Sequence, residues 1–253
     1  MSQLYNDEES MVKEKLPLDF SILGWCFALS FAPQVLFSFF VSVTLAINGL
    51  NVWENEDPQI EVMIMLGTSI LSPLLFFPLI KFVSGSKSFH ELLTYVNFKS
   101  IKLTYLCLIV IFTVLLEFSF DYLFFLLDVP VDSFTLEVGE FMNTSDKKVL
   151  VIIAICIIAP FMEEFIFRGW LFQRLVHTKL GNIGAVGISS VLFTVFHFQY
   201  QQLALVIILL IYSIILGIVR LKTANLNYTI IAHMTSNSYV LFAPIWFDVS
   251  GGM

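Results

Sequence analysis

Charge is what this sequence has least of. Asp, Glu, Lys and Arg make up 13% of its 253 residues, against 58% that are hydrophobic. A water-soluble domain carries about a quarter charged residues. A chain this apolar cannot cover a core with polar surface, so it takes lipid as its solvent. The 27 phenylalanines and a mean hydropathy of +0.87 fit hydrocarbon burial. Basic residues are scarcer still: the net charge is −7, and with no basic patch nucleic acid is not an expected partner. Cysteine is limited to Cys26, Cys107 and Cys156, each inside an apolar run. These are expected to be small apolar fillers, not a disulfide framework or a metal cluster. No cleavable signal peptide is expected, because the first seventeen residues are polar and mixed in charge and the apolar run after them is too long for a signal. There is no internal repeat, which counts against the duplicated plans common among transporters.

What the sequence does have is a succession of long apolar runs without strict alternation. In lipid every backbone polar group must be satisfied within the protein, so such runs form helices. Spans are expected near residues 18–47, 60–83, 101–127, 149–169, 183–199, 203–219 and 226–247. The predicted fold is an all-α polytopic transmembrane bundle of about seven to eight spans. Pro33, Pro73 and Pro78 are expected to kink the first two. If the spans alternate, Lys13, Lys15, Lys81, Lys87, Lys99, Lys102, Arg174, Lys179, Arg220 and Lys222 share one side. Glu54, Glu56, Asp57, Asp128, Asp132, Glu137, Glu140 and Asp248 gather on the other, with only Lys147 and Lys148 as basic residues. The positive-inside rule then makes the N-terminus cytoplasmic. Residues 170–178 read as an interfacial extension of the fourth span.

A charge within a span costs several kcal/mol, so each one needs a reason. The fourth span holds Glu163, Glu164 and Arg168 among aromatics. Glu164 and Arg168 are four residues apart and can pair on one helix face. Glu163 points about 100° away, which leaves one carboxylate neutralised and the other free. A structural ion pair would account for Glu164 and Arg168 but not for Glu163. Pro160 frees a carbonyl one turn earlier and can deform the helix. The fifth span carries His197, and the seventh carries His233 and Asn237 on one face. Histidine serves as general base or metal ligand, and an Asn amide can donate to an oxyanion. Glu117 and Asp121, one turn apart in the third span, are expected to snorkel to the outer interface. The alternative for them is a proton or cation path.

The pattern Glu163-Glu164-x-x-x-Arg168, then Phe193-x-x-x-His197, then His233-x-x-x-Asn237 resembles the three motifs of the CAAX-protease and bacteriocin-processing (CPBP) intramembrane proteases. The likeness runs from about residue 149 to the end. It implies a peptidase acting near the membrane surface, in which Glu163 and His197 activate water. His233 and Asn237 would stabilise the oxyanion, with Glu164 and Arg168 positioning the site. A zinc version would use Glu163, His197 and His233 as ligands with an open position for water. The residues alone do not separate the two versions, and metal-free general-base catalysis is preferred. On this reading residues 1–17 form a cytoplasmic tail, 18–127 the N-terminal helices and 149–253 the catalytic core. The partners are membrane lipid and a peptide or protein substrate. The setting is the bacterial cell membrane, with peptide or bacteriocin processing or self-immunity as the role. The competing readings are a transporter and a non-catalytic immunity partner. Straight helices would put Glu163 about 10 Å nearer the cytoplasmic face than His197, an offset that tilt, a kink at Pro160 or a later start of the fifth span must close.

Overall fold

A computed structural model of the chain describes residues 19–50, 58–144, 147–200 and 202–242. Lys13, Lys15, Glu54, Glu56, Asp57 and Asp248, the tail at 1–17 and the end of the last predicted span lie outside the described residues. Regular structure among the described residues is helical, with no strand. Five helices are long and apolar enough to cross a membrane: α1 (Ser21–Ile47), α2 (Pro58–Ser84), α4 (Leu103–Leu126), α6 (Lys148–Val176) and α8 (Leu203–Thr223). Helices α7 (Gly181–Phe196) and α9 (Leu226–Phe242) are shorter, at 16 and 17 residues. They pack with the five candidate spans into a polytopic helical bundle. The protein is an integral membrane protein.

Two short helices were not expected from hydropathy, because their signals are caps instead of apolar length. Helix α3 (Phe89–Tyr95) starts where Ser88 Oγ accepts from the Glu91 amide at 3.1 Å. Helix α5 (Ser133–Thr144) starts where Asp132 accepts from the Thr135 amide at 3.1 Å and its hydroxyl at 2.6 Å. Phe141 of α5 then packs with Leu66, Val151 and Ala154 over one end of α6.

Helix α6 is the axis of the bundle. Some 44% of its most apolar stretch is buried, against 11–28% for the other long helices. Residues Phe165 to Phe172 are all buried. The apolar face of residues 170–178 is therefore covered by protein, not by lipid as the interfacial reading expects, while Arg174 and His177 stay exposed. Trp170, Leu171 and Leu175 join Leu92 and Val96 in the main core, so α3 and the chain after it supply the cover that lipid headgroups would have given.

The close approach of that cover depends on Gly169. A Cβ there would lie 3.1 Å from Val96 Cγ1 and 3.2 Å from Val96 Cβ. The same segment is stitched to the junction of α8 and α9, where the Leu226 amide donates to the Asn97 carbonyl at 3.0 Å. Asn225 Nδ2 donates to the Ser100 carbonyl at 3.1 Å. Gly169→Leu is expected to overpack this seam and cost about 1–3 kcal/mol, read as a lower melting temperature in detergent. A variant as stable as the parent would contradict the packing.

Candidate active site

The helix that carries Glu163 and Glu164 is not a regular α-helix. It opens into π-helical turns at Ile153–Ile158 and again at Phe165–Leu171. Such turns are rare and often mark functional sites. In the first, the Ala159 amide donates to the Ala154 carbonyl at the wider π spacing. The next donor in that register would be residue 160, a proline without an N–H. The Ile155 carbonyl is thus left without a partner in its own helix, and Asn237 Nδ2 of α9 donates to it at 2.9 Å. At the end of the second, the Phe172 amide bonds back to Phe167. The Arg168 carbonyl accepts instead from Arg220 Nε of α8, at 2.9 Å. Each deformation is closed by a side chain inserted from another helix.

Between the two deformations sits the polar cluster. Glu164 and Arg168 are fully buried and form an ion pair, Nη1 to Oε1 at 2.8 Å. The same Glu164 Oε1 lies 3.1 Å from His233 Nδ1. Arg168 Nη2 donates to Ser213 Oγ at 2.6 Å and to the Ser213 carbonyl at 3.1 Å. The guanidinium also lies 4.3 Å from the centre of the Phe193 ring. Glu163 faces the other way. Its Oε2 is 3.4 Å from His197 Nε2 and 3.8 Å from His233 Nε2. With 29% of its side chain exposed, Glu163 is the most open member of the group.

Hydrogen-bond chemistry assigns the imidazole tautomers. His197 Nδ1 is 2.7 Å from the Phe193 carbonyl, and a carbonyl can only accept, so Nδ1 carries the proton. His233 Nδ1 faces a carboxylate already paired with Arg168, so it is the donor there too. In their neutral forms both rings turn an Nε2 lone pair toward Glu163. Glu163 Oε2 is itself buried without a hydrogen-bond partner among the described residues. Three acceptors facing one point can be reconciled by a proton or by a water that donates to them. Half-buried Tyr200 stands beside this point, its ring parallel to that of His197 within 3° at 6.3 Å. Burial pushes the Tyr200 phenol above its ordinary range, with the charges of Asp132, Glu163 and Glu117 adding to the effect. It is therefore a protonated donor near neutral pH.

Of the residues singled out in the sequence, Glu163, His197 and His233 meet. Glu164 and Arg168 lie directly behind them. Asn237 is one turn from His233, and its amide donates to the Ile155 carbonyl. The expected offset between Glu163 and His197 is absent, since Glu163 Oε2 stands 3.4 Å from His197 Nε2, and His197 follows directly on the 16-residue α7. Glu117 does not snorkel. It is buried and accepts from Ser236 Oγ at 2.6 Å, while Asp121 accepts from Tyr239 at 2.8 Å. Ser213 and Arg220 carried no sequence signal. Arg220 reads as a cytoplasmic end-of-span charge, yet it is 2% exposed.

The donor set Glu163, His197 and His233 is chemically that of a zinc site. As placed, however, no group of three His, Cys, Asp or Glu side chains among the described residues is arranged to hold a metal ion. The Ile155 contact yields a stability test. Asn237→Ala should leave that carbonyl unsatisfied and cost about 1–3 kcal/mol. Pro160→Ala restores a backbone donor and should recover part of the loss. Melting temperatures of both single variants and the double variant check this, and strictly additive effects would contradict it.

Residues 145–239 match the family model for the type II CAAX prenyl endopeptidases, Rce1-like. No curated protein and no solved structure matches the chain. The matched stretch contains Glu163, Glu164, Arg168, His197, His233 and Asn237. Residues 145–239 thus form a domain of the Rce1-like CAAX endopeptidases, an intramembrane protease family.

Proposed function

We propose that the protein is an intramembrane endopeptidase that hydrolyses a peptide bond in a membrane-associated peptide or protein, with Glu163 as general base. The observation that carries this reading is the position of Glu163 Oε2, unpartnered and faced by the Nε2 atoms of His197 and His233 at 3.4 and 3.8 Å. A water seated among these three acceptors gives up one proton to the carboxylate–imidazole group. Its oxygen attacks the carbonyl carbon of the scissile bond. The proton taken up can reside on an imidazole Nε2, which then becomes a donor to the developing oxyanion. Collapse of the tetrahedral intermediate breaks the C–N bond, and the same proton passes to the leaving amine.

His233 is the natural oxyanion partner, because its other nitrogen is anchored on the buried Glu164–Arg168 pair. Asn237 keeps one amide hydrogen for the same task after serving Ile155. Glu164 stays ionised against Arg168 and fixes the His233 ring, so the two adjacent carboxylates do different work. The setting we infer is the bacterial cell membrane, N-terminus cytoplasmic, in peptide or bacteriocin processing or self-immunity.

The test is purified protein in detergent assayed against a peptide library beside Glu163→Gln. Cleavage should fall by about 100-fold or more in the variant, and His197→Ala should behave likewise. Equal activity in parent and Glu163→Gln would remove this carboxylate from the reaction. On the metal-free route activity survives a strong chelator, and loss that zinc restores would overturn that route.

A further inference from the structure

Helix α8 contributes nothing to the three motifs, yet it grips Arg168 at both ends. Ser213 takes the guanidinium, through its hydroxyl at 2.6 Å and its carbonyl at 3.1 Å. Two turns further along the same helix, Arg220 Nε donates to the Arg168 carbonyl at 2.9 Å. Arg220 Nη2 also donates to the Val96 carbonyl at 3.1 Å, and its guanidinium lies 5.5 Å from the Phe172 ring centre. A buried arginine is expected to have a carboxylate partner. Arg220 instead bonds two backbone carbonyls and lies over an aromatic face. The bond to Arg168 falls on a carbonyl within the second π-helical stretch, next to the seam where Val96 packs on Gly169.

We propose that Arg220 is a positioning residue for hydrolysis. By capping the Arg168 carbonyl it holds the π-helical stretch open, and that stretch sets where Arg168, Glu164 and hence His233 stand. The geometry favours this over a general packing role, because the bonded atom is the backbone of the residue that orients the site. Without Arg220 the segment is free to revert to α spacing, which rotates the backbone after Glu164 and shifts the Glu164–His233 contact. This inference rests on the peptidase reading above.

The experiment compares parent, Arg220→Ala and Arg220→Lys in detergent for kcat, KM, melting temperature and hydrogen exchange across residues 165–172. A displacement of about 1 Å in a catalytic group costs on the order of 100-fold. Arg220→Ala should therefore lose about 10- to 100-fold in kcat per folded molecule, with KM near parental and exchange across 165–172 accelerated. Arg220→Lys, which keeps one donor, should recover part of the kcat. A folded Arg220→Ala with parental kcat overturns the proposal, as does a loss confined to melting temperature. If Arg220→Ala does not fold, Arg220→Lys decides, and parental kcat with parental exchange overturns the proposal. If the parent cleaves no peptide, the peptidase reading fails and the positioning role falls with it. Accelerated exchange in Arg220→Ala would then show a purely structural clamp.

Discussion

A backbone carbonyl in the middle of a membrane has nowhere to go. Water is absent, and an unsatisfied group costs several kcal/mol, so a spanning helix normally keeps every bond within itself. Helix α6 breaks that rule twice, flanking the pair of glutamates. It survives because Asn237 and Arg220 reach in from α9 and α8 to take the carbonyls at Ile155 and Arg168. The deformed turns stack Glu164, Arg168 and the ring of His233 in a dry interior while leaving Glu163 at the open edge. The helix that carries Glu163 and Glu164 is thus the one that depends most on its neighbours, in keeping with its burial.

Two adjacent carboxylates acquire different characters from this arrangement. Glu164 is tied to a guanidinium and an imidazole N–H. It is a fixed negative charge whose work is orientation. Glu163 has no such partner on its Oε2 among the described residues and faces the Nε2 atoms of His197 and His233. Neighbouring residues on one helix thus stand in different surroundings. The second acidic pair, Glu117 with Asp121, follows a third pattern. Ser236 and Tyr239 of α9 donate to it, which binds α4 to the helix bearing His233.

Much of this was legible in the sequence, and the misses have physical reasons. Hydrophobic run length marks spans well, since lipid demands about 20 apolar residues, and the long helices fall where the runs are. Helix faces placed Glu164 with Arg168 and separated Glu163 from them, because spacing of four is a local property. Hydropathy passed over α3 and α5, whose starts are capping interactions. It missed the protein cover over the apolar face of residues 170–178, because amphipathic pattern does not say whether protein or headgroups cover that face. Arg220 was assigned to the surface for a similar reason. A basic residue at the end of a span snorkels by default, and only the distant Val96 and Arg168 carbonyls draw it inward. Glu117 is buried because α9 meets it with Ser236, a contact 119 residues away in sequence.

The central claim is that both histidines are held with Nδ1 protonated so that Nε2 faces Glu163. Nitrogen-15 spectra of histidine-labelled protein in detergent or bilayers test it most directly, with His197→Gln and His233→Gln assigning the signals. The account predicts Nδ1–H for His197 and His233, each with Nε2 bare in the neutral form. An Nε2–H, Nδ1-bare tautomer for either ring would mean that its Nδ1 bond is not as described, and the convergence on Glu163 would be lost.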